Sequence, residues 1–406
     1  MRRPEPSPLA AHWTLDPEVT FLNHGAFGAC PREVLALQSE LRARMERDPI
    51  DFLVRALEPL LDEARTRLAA FLGADPEDLA FVDNATAGVN TVLRSLRFEA
   101  EDELLTTDHA YNACANVLRA VAEHAGARVV VAQVPFPVAS ADEVSSAVLG
   151  AVSARTRLVL LDHVTSATGV VFPVETLVPV LQARGIDVLV DGAHAPGMVP
   201  LDLRTLGAAY YTGNCHKWLC APKGAAFLHV RRDRQAGLRP LVISHGANSL
   251  RTDRSRFRLE FDWTGTRDPT ALLCVGQAID VVGGLLPGGW NEVRARNGAL
   301  ARQARTLVSE ALGVAPPCPE SMLGSLATIE LPDHPRWPLP GPRDLDPLQD
   351  ALFARHRIEV PIYGWPVAHR RWLRVSPHLH NAEAQYVFLA EALREAMALM
   401  AETGRD

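Results

Sequence analysis

Short apolar runs and helical stretches alternate between residues 75 and 230. The runs are rich in β-branched residues and lie at 79–82, 103–107, 128–134, 157–163, 186–190 and 208–211. Short runs that are apolar on both faces are typical of strands buried in a parallel sheet. Helical spacing separates them, for example at 142–152. The alternation predicts an α/β protein with a mostly parallel, doubly wound sheet.

The pattern outside this region predicts how the chain is divided. Helical spacing marks residues 31–48, 57–72 and about 270–285, and Gly and Pro then cluster at 283–289. Beyond the cluster, apolar runs at 325–331, 358–361 and 372–376 predict short strands among helices, with a proline-rich loop at 332–347. We therefore expect an N-terminal arm at 1–20 that packs with the small domain, a large domain at 21–285, and a small α+β domain at 286–406.

Composition narrows the classes of function. The chain has 406 residues, 48% of them hydrophobic, which is ample for a large core, and its net charge of −7 argues against nucleic acid as a partner. The six scattered cysteines include no CxxC pair, which favours a reducing compartment. The N-terminus lacks the apolar run of a signal peptide, and no apolar stretch is long enough for a membrane span. We expect a soluble, cytoplasmic protein with no membrane partner.

Two ionisable residues follow predicted strands that are consecutive in the sequence. Asp191 ends the run 186–190, and Lys217 follows the run 208–211 after a short turn. Ligands of open α/β sheets bind outside the carboxyl ends of the strands, so both side chains should open into one crevice. Pyridoxal phosphate (PLP) requires such a pair, because a lysine bonds its aldehyde and an acid pairs with its pyridine nitrogen. Taken alone the pair is only suggestive, since charged residues are usually solvated.

Other predicted strand ends carry groups suited to the same crevice. The run 79–82 turns through Ala85 and Thr86 into a helix. The free amides of that helix could bind a phosphate, although a plain capped helix would have the same pattern. His109 and Tyr111 follow the run 103–107, and either ring could stack on a flat cofactor or merely fill space.

Motifs along nearly the whole chain resemble those of class V, fold-type I PLP enzymes of the aminotransferase superfamily, and most closely the isopenicillin N epimerase branch. They are NHGAFG near the start, DPIDFLVR at 48–55, NATAGVN, TTDHAYN, HVTSATGVVFP, VDGAHAPG, GNCHKWLCAPKG, EFDWTGTRD and LRVSP. The linked set is highly specific, although no single motif is. The resemblance implies a seven-stranded type of sheet, PLP as the cofactor, and a homodimer with shared active sites.

The resemblance also implies roles for residues at the cofactor. Lys217 is expected to hold PLP as a Schiff base, and Asp191 to pair with the pyridinium nitrogen. His194 is expected to contact the ring oxygen, where many relatives carry glutamine, and Ser166 is a second partner for that oxygen. The expected phosphate contacts are Ala85, Thr86, His216 and, across the subunit boundary, Thr266.

Further implied roles concern the stacked ring and the substrate. Tyr111 is the expected stacking ring, with His109 as the alternative, and Arg374 is expected to grip the substrate α-carboxylate as a bidentate pair. Asn23 and His24 are expected to face the substrate. His24 departs from the family pattern, which has a small hydroxyl residue there, and so does the less aromatic run at 377–380. The identity of the amino acid or peptide-like substrate therefore stays open.

One set of groups serves several reactions. Lys217 at the cofactor can take the Cα proton of an amino acid; return of a proton to the opposite face gives epimerisation, the reaction we favour. Protonation of the cofactor carbon gives transamination, and expulsion of a β-substituent gives a C–S lyase. Epimerisation needs a second acid or base, for which Tyr111, His24 or a water could serve. A cysteine desulfurase needs a mobile reactive thiol, and only Cys318 is remotely placed for it.

Alternatives of other classes remain. Asp162, His163, Asp191, His194 and His216 follow predicted strands and could form the Asp/His site of a metal hydrolase. No HExxH spacing occurs, and Lys217 would then have no role, so we expect no metal site. A non-catalytic relative would not need the intact Lys, Asp and Arg set, and no GxGxxG motif indicates a dinucleotide enzyme.

Two basic segments bear on the substrate. Residues 244–262 are irregular and rich in arginine, which suggests either a loop over the crevice or a solvated surface loop. Together with residues 369–371, which read His-Arg-Arg, the arginines at 251–258 hint at a second anionic group on the substrate.

Overall fold

The computed structural model describes residues 2–332 and 345–403. Its strands are β1 (Thr20–Phe21), β2 (Leu79–Val82), β3 (Glu103–Thr107), β4 (Arg128–Ala132), β5 (Thr156–Asp162), β6 (Asp187–Asp191), β7 (Tyr210–Asn214), β8 (Ala226–Val230), β9 (Ala327–Glu330), β10 (Ile358–Glu359), β11 (Ile362–Gly364) and β12 (Arg371–Val375). Most of the proline-rich loop expected at 332–347 lies outside the described residues.

The helices follow the same order along the chain. They are α1 (His24–Phe27), α2 (Arg32–Arg47), α3 (Leu57–Leu72), α4 (Ala85–Ser95), α5 (Asn112–Ala125), α6 (Ala141–Gly150), α7 (Val174–Ala183), α8 (Leu203–Leu206), α9 (Arg256–Phe261), α10 (Thr270–Leu273), α11 (Val275–Gly284), α12 (Gly289–Leu312), α13 (Pro347–His356) and α14 (Glu383–Thr403). A π-helical segment, Asp51–Ala56, leads into α3. Short 3-10 helices span Pro8–His12, Pro76–Asp78, Arg232–Gly237, His245–Asn248 and Glu320–Met322.

The large domain is built on a seven-stranded sheet in the order β2-β8-β7-β6-β5-β3-β4. The five strands from β7 to β4 run parallel, whereas β8 is antiparallel to both of its neighbours. This confirms the predicted mostly parallel α/β sheet. The register places Asp162 of β5 beside Asp191 of β6. The carboxyl ends of the parallel strands therefore bring several predicted site residues to one edge.

The central strands bury both of their faces. In β5, Val159 and Leu161 belong to one apolar core, while Leu158 and Leu160 belong to a second core on the other face of the sheet. Successive strand side chains point to opposite faces, so a doubly covered strand must be apolar at consecutive positions. This explains why the runs in the sequence are continuous rather than alternating.

The small domain has its own core around an antiparallel sheet in the order β11-β12-β9, with side chains from α12 and α14. Leu22 packs into this core, and β1 pairs in parallel with β10 through Thr20 and Ile358. The segment that follows the N-terminal arm is thus joined to the small domain. The domain limits proposed from the sequence stay predictions.

The arginine-rich segment at 244–262 is not a loop over the crevice, and that expectation was wrong. It contains a 3-10 helix and α9, and its arginines form ion pairs with acids on and near α3. Arg254 binds Asp62 at 2.7 Å, Arg251 binds Glu58 at 2.6 Å, and Arg258 reaches both Asp62 and Asp262. These pairs hold the segment against the large domain, away from the cavity described below.

The helix expected at about 270–285 is divided at Cys274 into α10 and α11. Within residues 2–332 and 345–403, no individual helix combines the length and apolar character needed to cross a bilayer. The pair Thr270–Gly284 and Gly289–Leu312, bent by 71°, meets those criteria only when taken together.

Candidate active site

A cavity of about 510 Å³ opens at the carboxyl ends of β5, β6 and β7. Its size suits a small-molecule ligand. Eight of the residues selected from the sequence line it, namely Ala85, Thr86, Tyr111, Ser166, Asp191, His194, His216 and Lys217. The structure therefore brings Asp191 and Lys217 into one crevice, while the role of each residue stays a proposal.

Lys217 presents its amine to this cavity. Its Nζ lies 3.1 Å from Nε2 of His194. Burial lowers the pKa of Lys217 to about 7, and the nearby Arg374 cation acts in the same direction, against the opposing charge of Asp191. Burial also lowers the pKa of His194 well below its usual value, so that ring is neutral. The site thus holds an amine that is available as a nucleophile or base near neutral pH.

Asp191 is a buried carboxylate whose two oxygens are both engaged. Oδ1 accepts the amide N–H of Ala193 at 3.0 Å, and Oδ2 accepts the thiol of Cys114 at 3.2 Å. Burial raises the pKa of Asp191, and these two hydrogen bonds and the Lys217 charge oppose that rise. A ligand cation placed against Asp191 would relieve the same desolvation, as the pyridinium of PLP would.

Asp162, a second buried acid, also lines the cavity, and we did not select it as a cofactor contact from the sequence. Burial and the neighbouring Asp191 charge raise its pKa well above the usual value. Two adjacent carboxyls in a buried site do not both ionise readily, and Asp191 is the one whose ionised form is favoured by the Lys217 charge. Its position at a strand end, one residue before His163, was the available signal.

The amino terminus of α4 forms the wall expected to receive a phosphate. The helix is capped by Asn84, whose Oδ1 accepts the N–H of Ala87 at 2.8 Å. The N–H of Ala85 donates to Oδ1 of Asn214 at 2.9 Å, so this amide is already occupied by a side chain. Thr86 lies between them on the cavity wall. The helix dipole still favours an anion here.

His216 lines the cavity in a defined state. Its Nδ1 lies 3.0 Å from the carbonyl oxygen of Ala225, which can only accept, so Nδ1 carries the proton. Burial lowers the pKa of His216 to about 4, which leaves Nε2 as an acceptor. His216 can therefore donate to a phosphate only if the bound anion raises the pKa of the ring enough to keep Nε2 protonated.

The structure separates the two candidates for the stacking ring. Tyr111 lines the cavity and is 45% exposed. His109 does not line it: its Nε2 bonds the carbonyl of Val134 at 3.2 Å and its Nδ1 bonds the hydroxyl of Thr168 at 2.7 Å. Both ring nitrogens are thus used within the protein, and the cofactor contact expected of His109 is corrected.

Asn23 and His24 also lie outside the cavity lining, contrary to their expected contact with substrate. His24 is fully buried on the backbone side of the lysine, with Nε2 3.1 Å from the carbonyl oxygen of Lys217. Its Nδ1 lies 3.2 Å from Nε2 of His380. The Nδ2 of Asn23 reaches Glu359 at 3.4 Å. Of the two, His24 therefore contacts the backbone of Lys217, and Asn23 bonds a residue of β10.

His24, His378 and His380 form a buried cluster whose ring nitrogens are close enough to consider a metal. The rings of His24 and His378 are stacked, with centroids 4.2 Å apart and planes inclined by 19°. A metal lies in the plane of each imidazole that ligates it, and two stacked planes do not converge on one ion. Burial lowers the pKa of all three rings, that of His378 to about 3. We interpret the cluster as neutral imidazoles, two of them hydrogen-bonded to each other.

Arg374 lies outside the lining of the cavity and contacts the cavity wall through Ser166. Its Nη1 lies 2.7 Å from the carbonyl oxygen of Ser166, and its guanidinium lies 5.7 Å from the centre of the Tyr363 ring. The Nε of Arg374 is buried without a hydrogen-bond partner. A buried unpaired donor is costly, so this nitrogen is suited to receive an acceptor from a ligand. Tyr363, which the sequence did not single out, donates to the carbonyl of Ala167 at 2.7 Å.

The other basic residues proposed for a second anionic group are already paired. Arg370 binds Glu330 at 2.8 Å, and Arg371 binds the buried Asp346 at 3.0 Å. The arginines of 244–262 are paired as described above. These ion pairs give no support to the prediction of a second anionic group on the substrate. Thr266 is exposed and lies outside the lining of the cavity.

Comparison with solved structures defines the fold. The chain superposes on a complex of the cystine C–S lyase C-DES with its product cysteine persulfide, with a TM-score of 0.76 and 21% identity over 92% of this chain and 97% of that one. It superposes equally on the cysteine desulfurase CsdA of Escherichia coli, with a TM-score of 0.76 and 19% identity over 96% and 98% of the two chains. The fold is that of PLP-dependent enzymes of fold type I, and PLP is the cofactor.

The chain belongs to the Aminotransferase class-V family, whose profile matches residues 34–332. It is 40% identical to isopenicillin N epimerase of Amycolatopsis lactamdurans, over 94% of this chain and 96% of that protein, and 36% identical to the Streptomyces clavuligerus epimerase over 93% and 95%. It is also 32% identical to a probable chloroplastic L-cysteine desulfhydrase of Arabidopsis thaliana, over 93% and 83%. The family resemblance inferred from the motifs is confirmed.

Proposed function

We propose that this enzyme epimerises the Cα of an amino acid or of an amino-acid-capped peptide of the isopenicillin N type. The observation that carries the proposal is the amine of Lys217, with a pKa of about 7, in the same cavity as the buried Asp191. The similarity to two epimerases along nearly the whole chain supports this reaction over others that the same groups could perform.

The residues divide the work of proton removal. PLP, when bound, supplies an electron sink for the charge left at Cα. Lys217 holds the cofactor and then serves as the base on one face of Cα. Asp191 retains the proton on the pyridine nitrogen, because its negative charge favours the protonated ring. Arg374 orients the substrate carboxylate through its unpaired Nε, so that the Cα hydrogen points toward Lys217.

Epimerisation also requires an acid on the face opposite Lys217. His24 cannot serve, because it is buried behind the lysine backbone. Tyr111 lines the cavity and is partly exposed, so its phenol is available to a ligand. We assign Tyr111 as the stacking ring, and we propose that its hydroxyl, or a water that it holds, delivers the second proton.

The functional unit that we propose is a homodimer. Phe27 lines the cavity yet is 75% exposed. Thr266, which precedes the buried α10 in the sequence, is also exposed. The segment at Leu241, Val242 and Ile243 adds consecutive apolar side chains that are 46%, 57% and 68% exposed. Large exposed apolar side chains in a cluster mark interaction surfaces. A second copy of the chain would cover them and bring Thr266 to the phosphate of the neighbouring site.

A C–S lyase is the second candidate, because the Arabidopsis thaliana relative is named a desulfhydrase. Elimination of a β-substituent would begin with the same proton removal by Lys217. A desulfurase that forms a persulfide on its own thiol is a poorer fit. All six cysteines are buried, and the thiol of Cys318 contacts the guanidinium of Arg305 at 3.7 Å.

The test separates the cofactor from the reaction. Purified protein should show a visible absorption band that borohydride discharges, and Lys217→Ala should lose the covalent attachment. The holoenzyme is then incubated in heavy water with L- and D-amino acids and with isopenicillin N. Deuterium at Cα together with inverted configuration supports epimerisation, whereas release of sulfide and pyruvate from cysteine supports the lyase. Tyr111→Phe should slow inversion more than it slows deuterium exchange on the Lys217 face. Turnover without deuterium at Cα in any substrate would contradict the proposal.

A further inference from the structure

Trp218 follows Lys217 directly, and its indole is fully buried. The indole Nε1 lies 3.3 Å from Nδ1 of His194. An indole N–H can only donate, so Nδ1 of His194 must carry a lone pair. A neutral imidazole has one proton, which is then held on Nε2. The contact with Trp218 therefore selects one of the two tautomers of His194.

The selected tautomer determines what His194 offers to the cavity. Nε2 is the nitrogen that lies 3.1 Å from Nζ of Lys217. Since Nε2 is a donor in this tautomer, the acceptor must be the lone pair of the neutral lysine amine. In the opposite tautomer Nε2 would instead accept an N–H of the amine, but the proton on Nδ1 would then face the indole N–H of Trp218. The direction of this hydrogen bond thus runs from Trp218 through His194 to Lys217.

We propose that Trp218 is a positioning residue that fixes the tautomer of His194, so that this histidine always presents an N–H to the bound cofactor. The inference rests on the proposed function, in which His194 contacts the ring oxygen of PLP. That oxygen carries negative charge and needs a donor. A glutamine at this position, as in many relatives, ends in an NH2 group and needs no partner to make it a donor. A histidine needs one, because its proton can sit on either nitrogen.

Packing is the rival explanation for Trp218. The indole also lies against the rings of His24 and His378, with centroids 5.2 Å and 6.2 Å away. A variant that keeps the aromatic ring but lacks the N–H separates the two explanations. Trp218→Phe meets this requirement more closely than Trp218→Ala, which would leave a large cavity.

The first readout is the pH at which the visible band of the lysine-bound cofactor changes. Loss of a donor to the ring oxygen leaves more electron density there and raises this midpoint. We expect Trp218→Phe to raise it by up to about one pH unit, the equivalent of about a tenfold change. In a His194→Gln background, Trp218→Phe should change the midpoint little, since the glutamine donates unaided. This non-additivity is what a purely packing role of Trp218 would not produce.

The second readout is the tautomer itself. Nitrogen NMR of holoenzyme labelled at histidine, with the His194 signal assigned by its loss in His194→Gln, should show the proton on Nε2 in the wild type and a mixture of tautomers in Trp218→Phe. Trp372→Phe is the matched control, because it removes another buried indole N–H, one that bonds the carbonyl of Trp365 at 2.7 Å in the small domain. It should leave the midpoint and the His194 signal unchanged.

The outcomes distinguish this inference from the proposed function. A wild-type protein that binds no PLP would remove the proposed site as a whole. A wild-type protein that binds PLP, with an unchanged His194 tautomer in Trp218→Phe, overturns the inference alone. Equal shifts of the midpoint in the wild-type and His194→Gln backgrounds would also overturn it, because the effect would then not act through His194.

Discussion

Nε2 of His194 and the amine of Lys217 lie 3.1 Å apart, as donor and acceptor rather than as two cations. Burial lowers the pKa of both residues, that of Lys217 to about 7, so the pair is neutral above that pH. An amine held in this way keeps its lone pair ordered by one hydrogen bond. The same pair can later exchange partners when a ring oxygen takes the donor. The lysine is therefore prepared for attack on an aldehyde before the cofactor arrives.

Capture of PLP by the apoenzyme should depend on pH through Lys217. Its pKa falls from 10.5 to about 7, and only the neutral amine attacks the aldehyde. The rate should rise about tenfold per pH unit below 7 and level off above it. By linkage, this lysine also makes the apoprotein more stable as pH rises from about 7 to 10.5, since the unfolded chain then holds the extra proton. Stopped-flow mixing with PLP measures the rate. A rate that still climbs steeply at pH 9 would show an ordinary lysine.

Cys114 should strengthen cofactor binding through Asp191. Its thiol donates to Oδ2 at 3.2 Å, and this bond favours the ionised carboxylate. Cys114→Ala should raise the pKa of Asp191 and weaken PLP binding by about two- to tenfold, whereas Cys114→Ser should retain the donor and most of the affinity. Fluorescence titration of apoenzyme with PLP gives the affinities. Cys274→Ala, at another fully buried cysteine, is the control. Equal weakening in the Ala and Ser variants of Cys114 would point to packing instead.

Arg374→Lys should impair recognition of the substrate carboxylate. Lysine cannot reproduce the paired N–H groups of a guanidinium, so KM for the amino acid should rise at least about tenfold, with a smaller fall in kcat. A matched amine without the carboxylate should bind the variant and the wild type equally in competition assays. Arg370→Lys is the control, because that arginine pairs with Glu330, whereas Arg374 bonds Ser166 of the cavity wall. If the substitution weakens binding of the amine as much as binding of the amino acid, the carboxylate does not contact Arg374.

Gly28→Ala should destabilise the segment that carries Lys217. Gly28 has φ of 70°, and an added Cβ would overlap the carbonyl oxygen of His216 and lie 2.9 Å from Cα of Lys217. Strain and overpacking together should cost at least about 2 kcal/mol. Thermal unfolding measures the loss, and PLP should dissociate faster from the variant. Gly237→Ala, where an added Cβ meets nothing within 4 Å, should be close to neutral. Unchanged stability in Gly28→Ala would mean that the backbone can move aside.

The sequence predicted the central sheet well, because burial on both faces imposes continuous apolar runs. The limits of β2 and β3, and those of α3, agree with the structure residue for residue. The antiparallel direction of β8 was not predicted, since strand direction leaves no mark on a short buried run. The break at Cys274 was also missed, because both halves share one helical periodicity.

Local sequence pattern predicted only part of the candidate site. Asp191 and Lys217 were found because each ends or follows a strand, and topology brings such ends together. The pattern alone did not separate His109 from Tyr111, and the preference for Tyr111 came from the family resemblance. The ion pairs of Arg254 and Arg258 with Asp62 could not be predicted from the sequence, because they join segments that are distant in the chain. A run of arginines shows the same sequence pattern whether its side chains are paired or solvated.

The pairing of β1 with β10 has a consequence for how the protein is made. The two strands lie near opposite ends of the chain. Leu22 therefore cannot pack into the core of the small domain until almost all residues have left the ribosome. Because closing so long a loop is entropically unfavourable, the large sheet should form first and the small domain should be completed last. In a newly synthesised chain, β1 and Leu22 therefore lack their partners from the small domain. Chaperone dependence or aggregation during expression should originate at this segment.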